Sequence, residues 1–484
     1  MNVQNYFTDF RKCGIGYLAF VMIFVFVMFT GENFKYWQNE VVLIALVSVL
    51  GLTTLYYSFK NKQNLHKVAL VIIIVFGMLM LIFTPPMSFP DEGIHFTRAE
   101  LITEGVLLPE VTDRGVYVND YYFNLNHAYT GTTILTDDSF NTPITEHKGY
   151  WEDTTESPFY AYLFSAIGIF IAKLLNLTAL WALYLARMAN LIVYAFVSYS
   201  IIKKVPKFKL PMLVIATIPL CISQVSSTSY DAFILTFSLV ILGYFIKMYC
   251  GELNKKNMVI FFTSVLLISL IKPPYIILAF LILAIPNNQY RKYGLIAIPL
   301  VFILTLLGYS YMFTQILTTP IGTADVSFQG QLNFVLSNPL VIFTLLKNII
   351  VSIPTVFILK SNFFHYTGFK GIKFINILYL LFFLGFSLFY KLDIKMDKKE
   401  RGILALIFAV VYLGVNAISY LQWNRVGSHV ILGVQSRYFL PVIALLPLII
   451  NTGHFEIENK EKYIFTFIII ILTGMFMLPV THYY

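Results

Sequence analysis

The chain has 484 residues, of which 58% are hydrophobic and 12% charged. Soluble domains carry about 25% charged residues, so the composition excludes a soluble enzyme and predicts an all-α polytopic membrane protein. The formal net charge of +9 does not indicate nucleic-acid binding, because the basic residues fall in short loops between apolar runs, as the positive-inside rule describes.

The first three apolar runs predict spans that begin inside the cell. Arg11 and Lys12 precede the first run, and Lys60, Lys62 and Lys67 lie between the second and third runs. Basic loops stay on the cytoplasmic side, so the third run, 68–83, should deliver the chain to the outer face. We expect residues 1–67 to form a two-span extension of a membrane domain that covers 68–484.

If the remaining apolar runs cross the membrane in alternating directions, the sequence predicts a bundle of about 11–14 transmembrane helices with two extracytoplasmic segments, 84–157 and 314–371. Two further apolar runs, 158–177 and 340–359, make the count ambiguous. If 158–177 spanned, the lysines at 203–209 would lie outside, so we treat it as an interfacial helix. Whether 158–177 and 340–359 cross the membrane stays open at this point.

The stretch Ser88–Glu100 opens the first external segment and concentrates reactive side chains. Asp91, Glu92, His95 and Arg98 fall within eight positions, directly after a predicted span. Ser88 and Asp91 have capping-box spacing, so we expect a helix to begin here with Glu92, His95 and Arg98 in contact along one face. The alternative is that the two acids only complement the dipole of an exposed helix.

Three other polar groups fall at predicted outer helix junctions. These are Ser226–Asp231, Lys272-Pro-Pro-Tyr275 and Gly433–Pro441, the last of which contains Gln435, Arg437 and Tyr438. Lys272 and Arg437 break the positive-inside pattern, and an anionic phosphate is a natural partner for such charges. Arg187 falls in the first turns of another outer span.

Each of these residues also has a structural interpretation. Lys272 could extend to lipid headgroups, and Asp231 could cap its own helix. Gln435, Arg437 and Tyr438 could be ordinary interface residues. Cys13, Cys221 and Cys250 form no CxxC pair, and His127, His147 and His365 show no ligand spacing. We therefore predict no resident metal and no cofactor.

Together, Pro90–Ala99, Ser226–Asp231, Lys272–Tyr275 and Gly433–Pro441 resemble the DUF2142 family of bacterial multi-pass membrane proteins of unknown function. The resemblance covers roughly residues 68–480. The family is similar in architecture to the GT-C glycosyltransferases, which move a sugar from a polyprenyl-phosphate carrier to an acceptor outside the membrane. That analogy implies an aspartate or Asp-Glu pair of the first loop at the reaction centre.

Carried over to this chain, the analogy makes Asp91 the general base, with Glu92 beside it as a second catalytic acid. A divalent metal held by the first-loop acids is the alternative role. His95, Arg98, Arg187, Asp231, Lys272, Tyr275, Gln435, Arg437 and Tyr438 are the expected substrate- and phosphate-binding residues. Pro158 and Tyr160 lie in a run that resembles a proline- and tyrosine-containing run of the family.

The resemblance thus implies a membrane glycosyltransferase in the cell membrane with an extracytoplasmic active site. Its partners would be a polyprenyl-phosphate sugar, a cell-envelope glycan or lipid acceptor, and membrane lipid. A transporter or flippase of lipid-linked glycans, or a polymerase that uses a diphosphate-linked donor, is the alternative. A transporter would be expected to place charged residues near the bilayer midplane.

Overall fold

The computed structural model confirms an all-α membrane protein. It describes residues 3–29, 37–110, 112, 114–121, 125, 141–145, 147–151, 157–286, 288–316, 325–354, 356–357, 372–453 and 460–484. Parts of both predicted external segments, including His127, Asp137 and His365, lie outside these residues.

The helices before the chain midpoint are α1 Val3–Met28, α2 Trp37–Lys60, α3 Leu65–Phe83, α4 Glu92–Thr103, α5 Leu163–Leu174, α6 Ala179–Lys204, α7 Lys209–Ala216, α8 Pro219–Val225 and α9 Asp231–Tyr249. The later helices are α10 Lys255–Ser269, α11 Asn288–Ile316, α12 Phe328–Ser337, α13 Val341–Pro354, α14 Ile372–Phe389, α15 Lys398–Trp423, α16 Leu440–Ile443, α17 Leu446–Ile449 and α18 Lys460–Tyr483. Two strands, β1 Val116–Asn119 and β2 Lys148–Trp151, pair antiparallel in the first loop. Three 3₁₀ helices cover Phe159–Tyr162, Pro273–Ala284 and Ser436–Phe439.

Eight helices of the described residues are long and apolar enough to cross a membrane, or nine if the bent pair α12–α13 counts as one span. This is fewer than the 11–14 predicted, because several apolar runs form short or broken helices. The run 210–223 is divided into α7 and α8 at Pro219, and the run 276–285 forms a 3₁₀ helix after Pro273-Pro274. Proline removes a backbone donor and interrupts the α-helical ladder at these points.

The two helices of uncertain placement are both short. α5 has 12 residues, or about 18 Å of length, against the ~20 residues that a span requires. α13 has 14 residues and meets α12 at a bend of 113°. Their lengths agree with embedded helices, although the end of the 340–359 run lies outside the described residues.

The core of the bundle lies around α6, which packs against α3, α5 and α9. Gly168 allows α5 to approach the α6 backbone closely, since a Cβ there would lie 2.3 Å from the Leu185 carbonyl oxygen of α6. α18 packs on the other side of α3 and also contacts α1 and α2. The end of α3 and the starts of α6 and α9 are thereby held together, and α4 begins beside them.

The first loop is attached to this bundle by a buried carboxylate. Glu100 of α4 is 1% exposed and accepts a hydrogen bond from Tyr121 Oη at 2.6 Å. Its other oxygen accepts from the Asn119 amide of β1 at 2.8 Å and lies 2.5 Å from Lys173 Nζ of α5. These contacts join α4, the β-hairpin and α5 into one unit.

Candidate functional site

The connection from α3 to α4 is held by a fully buried ion pair. The guanidinium of Arg187 donates to both carboxylate oxygens of Glu92, with Nε–Oε1 at 2.8 Å and Nη2–Oε2 at 2.6 Å. Both side chains are completely inaccessible to solvent. The remaining donors of Arg187 reach the carbonyl oxygens of Leu81, Thr84 and Pro85 at 2.8–3.0 Å. One guanidinium therefore satisfies the free carbonyl groups at the end of α3 and positions the start of α4.

Asp91 is the residue that immediately precedes α4, and its side chain points away from this anchor. It has φ 59° and ψ 18°, in the left-handed region, and makes no capping hydrogen bond. The predicted capping box with Ser88 is therefore wrong. The carboxylate instead lies 2.7 Å from Arg437 Nη2, and the Asp91 side chain keeps 48% of its surface exposed.

Arg437 lies at the centre of the site, beside three polar side chains and the ring of Tyr438, whose centroid lies 5.5 Å from the guanidinium carbon. It belongs to the 3₁₀ helix Ser436–Phe439 and is 4% exposed. Besides Asp91, its Nη1 lies 3.3 Å from Gln224 Oε1, and its Nε lies 3.1 Å from Asp231 Oδ2. The last contact has the distance of an ion pair without the alignment of a hydrogen bond, since neither atom has a hydrogen-bond partner.

Asp231 links Arg437 to a second cation. It is the first residue of α9, so its negative charge also complements the helix dipole. Its side chain does not cap the helix, contrary to the alternative considered above; Oδ1 accepts from Lys272 Nζ at 3.3 Å. Two carboxylates and two cations thus form one contiguous cluster contributed by four separate segments of the chain.

Aromatic rings enclose the ammonium group of Lys272. Its Nζ lies 3.5 Å from the ring centroid of Tyr438 and 5.0 Å from that of Tyr230, both within the range of cation–π interaction. The hydroxyl of Tyr275 donates to the Tyr438 carbonyl oxygen at 2.8 Å and fixes that segment. Burial lowers the pKa of Lys272 to about 8, although Asp231 favours its charged form, so the residue is largely protonated at neutral pH.

His95 lies behind the charged cluster and does not bind Glu92 or Arg98. Its Nδ1 is 3.0 Å from the hydroxyl of Tyr162, and its ring contacts Tyr230 edge-on at 4.8 Å. Burial lowers the pKa of His95 to about 4, so the imidazole is neutral at pH 7. A neutral ring supports Tyr230 without adding a charge to the site.

Three predicted site residues, Glu92, Arg187 and Arg98, have hydrogen-bond partners outside the cluster. Glu92 and Arg187 bind each other, so neither faces the exposed side of Asp91. Arg98 donates through Nη2 to the Leu107 carbonyl oxygen at 2.7 Å, and its Nε and Nη1 are buried without a hydrogen-bond partner. Gln435 precedes the 3₁₀ helix, and its buried Oε1 also has no partner. The predicted contact series Glu92–His95–Arg98 is wrong.

Three residues of the site were not proposed from the sequence. Tyr230 falls inside the motif Ser226–Asp231, and Tyr162 follows Pro158 and Tyr160. Their positions in these motifs could therefore have identified both tyrosines. Gln224 is a lone amide in an apolar run, and only its contact with Arg437 identifies it. Tyr160 itself donates to the Leu267 carbonyl oxygen at 2.9 Å and attaches the end of the first loop to α10.

A divalent ion shared by Asp91 and Glu92 does not fit these residues. The Glu92 carboxylate is occupied by Arg187, and Asp91 faces the guanidinium of Arg437. Within the part of the chain that the structure describes, no three His, Cys, Asp or Glu side chains group as metal ligands.

Comparison with known proteins identifies the family. The model of the DUF2142 family, described as a predicted membrane protein, matches residues 74–446. The chain therefore belongs to this family, and the match contains every residue of the cluster, whereas α1, α2 and α18 lie outside it. No curated protein and no solved structure matches the chain.

Proposed function

We propose that this member of the DUF2142 family is a membrane glycosyltransferase of GT-C type. It would move a sugar from a polyprenyl-phosphate donor to a hydroxyl group of a cell-envelope acceptor. The observation that supports the proposal is the half-exposed Asp91 carboxylate in one cluster with the buried cation Arg437 and the partly buried cation Lys272. A base and a phosphate-binding pair are the two groups that such a transfer requires.

In this reaction Asp91 takes the proton of the acceptor hydroxyl as that oxygen attacks the anomeric carbon. The bond between the anomeric carbon and the donor phosphate oxygen breaks, and the phosphate leaves with the electron pair. General base catalysis by a positioned carboxylate typically contributes 10²–10⁴-fold. The charge that develops on the leaving phosphate is stabilised by Arg437 and Lys272, whose partners position them before the reaction.

The placement of the cluster favours an enzyme over a transporter or flippase. Asp91 and Asp231 lie where α4 and α9 begin, and Lys272 and Arg437 lie at the starts of 3₁₀ helices. A transport path would be expected to carry charged groups near the middle of the spans. The basic loop 60–67 before α3 supports an extracytoplasmic site. A polymerase with a diphosphate-linked donor would use the same residues.

The test is complementation of a deletion strain, read out as the composition of surface glycans. Asn is the substitution of choice at position 91, because it tolerates the left-handed backbone that Asp91 adopts. We expect Asp91→Asn to accumulate in the membrane at wild-type level and to fail to restore transfer. The matched control is Asp325→Asn, which removes an exposed carboxylate that lies 3.8 Å from Arg425; it should complement fully. Full complementation by Asp91→Asn would remove Asp91 from the mechanism.

A further inference from the structure

Each nitrogen of the Arg437 guanidinium lies beside another side chain, although only two of its five N–H groups donate a hydrogen bond to Asp91 or Gln224. Nη2 contacts Asp91, Nη1 contacts Gln224 and Nε contacts Asp231. Tyr438 and Asp231 likewise occupy the ammonium group of Lys272. The Arg437 side chain is only 2% exposed, and its exposed neighbour is Asp91, so the open route for a phosphate to this guanidinium passes through the position of the Asp91 carboxylate.

The three partners differ sharply in how easily they can be replaced. Gln224 is 1% exposed, and the Asp231 side chain is 6% exposed and binds Lys272 as well. Asp91 is 48% exposed, lies outside regular helix and makes no capping bond that would hold its side chain. Asp91 is the partner that a phosphate would displace, whereas Asp231 and Gln224 position the guanidinium.

The charges of the cluster support the same conclusion. With Asp91 in place, the two carboxylates balance the charges of Lys272 and Arg437. When the carboxylate of Asp91 moves away, the remaining three groups carry one net positive charge, which a phosphodiester donor would neutralise. Leaving this net positive charge uncompensated in a buried cluster is costly even though Asp231 remains beside Arg437, so release of Asp91 is favourable only when an anion replaces it.

We propose that Asp91 blocks the phosphate-binding face of Arg437 in the free protein, and that the donor phosphate displaces it. This inference rests on the proposed function and adds an order of events. The donor binds first, its phosphate takes the place of the Asp91 carboxylate on Nη2, and the released carboxylate becomes available to the acceptor hydroxyl. An acceptor that arrives without donor meets a base that is still paired with Arg437.

The proposal makes an unusual prediction about affinity. Removing the catalytic carboxylate should strengthen phosphate binding, because it removes the competitor. In the wild-type protein, phosphate binding must first break the charged hydrogen bond between Asp91 and Arg437. Without that bond, the affinity for phosphate should rise about tenfold. If Asp91 were itself part of the phosphate site, or only structural, its replacement would weaken binding or leave it unchanged.

The experiment measures binding of farnesyl phosphate to the purified full-length protein in detergent, with farnesol as the uncharged control. We expect Asp91→Asn and Asp91→Gly to bind farnesyl phosphate about tenfold more tightly than wild type. Glycine is the second variant because it adopts the left-handed backbone without strain, so a folding defect of one variant leaves the other informative. Asp325→Asn should bind as wild type does.

The outcomes separate this inference from the proposed function. Unchanged or weaker binding of farnesyl phosphate by both Asp91 variants would overturn the displacement model even if they are inactive in transfer. An equal gain in farnesol affinity would also overturn it, because the effect would then come from the prenyl tail. Sugar transfer by Asp91→Asn would overturn the proposed function instead.

Discussion

The buried pair Glu92–Arg187 offers the sharpest test of how the site is held in place. Glu92→Gln leaves the Arg187 guanidinium without its counter-ion, which typically costs about 3–5 kcal/mol in a buried pair. Arg187→Met leaves the buried Glu92 carboxylate without its counter-ion and should lower the free energy of unfolding by a similar amount. It also removes the donors for the carbonyl oxygens of Leu81, Thr84 and Pro85. At about 1 kcal/mol for each lost bond, we expect Arg187→Met to cost up to about 3 kcal/mol more than Glu92→Gln.

The double variant Glu92→Gln/Arg187→Met should be more stable than Arg187→Met alone. Once the guanidinium is gone, an uncharged amide at position 92 is cheaper to bury than a carboxylate. The double variant should then cost less than the sum of the two single costs by at least about 3 kcal/mol, and a coupling energy of this size arises only if the two side chains are in contact in the folded protein.

The measurement is equilibrium unfolding of the three variants by SDS in mixed micelles, followed by tryptophan fluorescence. Wild type and Glu252→Gln, which removes an exposed carboxylate beside Lys247, serve as references. If the double variant were less stable than Arg187→Met, or if the single costs simply added, Glu92 would not be neutralising Arg187. The account of how α4 is positioned would then be wrong.

Two further predictions concern Lys272, the proposed phosphate-binding cation, and the packing between α5 and α6. Because Lys272 has a pKa of about 8 and must be charged to hold a phosphate, the affinity for farnesyl phosphate should fall as the pH rises through about 8, by up to about tenfold per pH unit. The Lys272→Arg variant should not show this decline. If the affinity of the wild-type protein did not change between about pH 7 and 10, the prediction would be wrong. Gly168→Ala places a Cβ against the α6 backbone and should lower the free energy of unfolding by about 1–3 kcal/mol in the same assay. Gly385→Ala is the control, because a Cβ there meets open space and should not lower the stability. Equal stability of the two variants would disprove the close α5–α6 contact.

The class of the protein could be derived from the sequence because hydropathy and charge act locally. A run such as 68–83 is apolar enough to span whatever its neighbours do, and α3 forms there. The sequence also indicated Asp91, Asp231, Lys272 and Arg437 as candidate site residues. Each of them is a charged residue next to the end of an apolar run, where a charge needs a partner. The number of spans was predicted less well, because helices interrupted at Pro219 and Pro273 keep the composition of a span without its length.

The roles of adjacent residues were decided only by the tertiary structure. Asp91 and Glu92 are neighbours with the same charge, and nothing in the sequence distinguishes which of them faces the open side of the site. Arg187 lies 95 positions after Glu92 and binds it, whereas Arg437 lies 346 positions after Asp91 and reaches the other carboxylate. The pairing of a charge depends on which groups share its low-dielectric surroundings, and that is a property of the folded bundle. Local sequence therefore determined that charges lie at the helix ends, and long-range packing determined which carboxylate anchors α4 and which one faces the site.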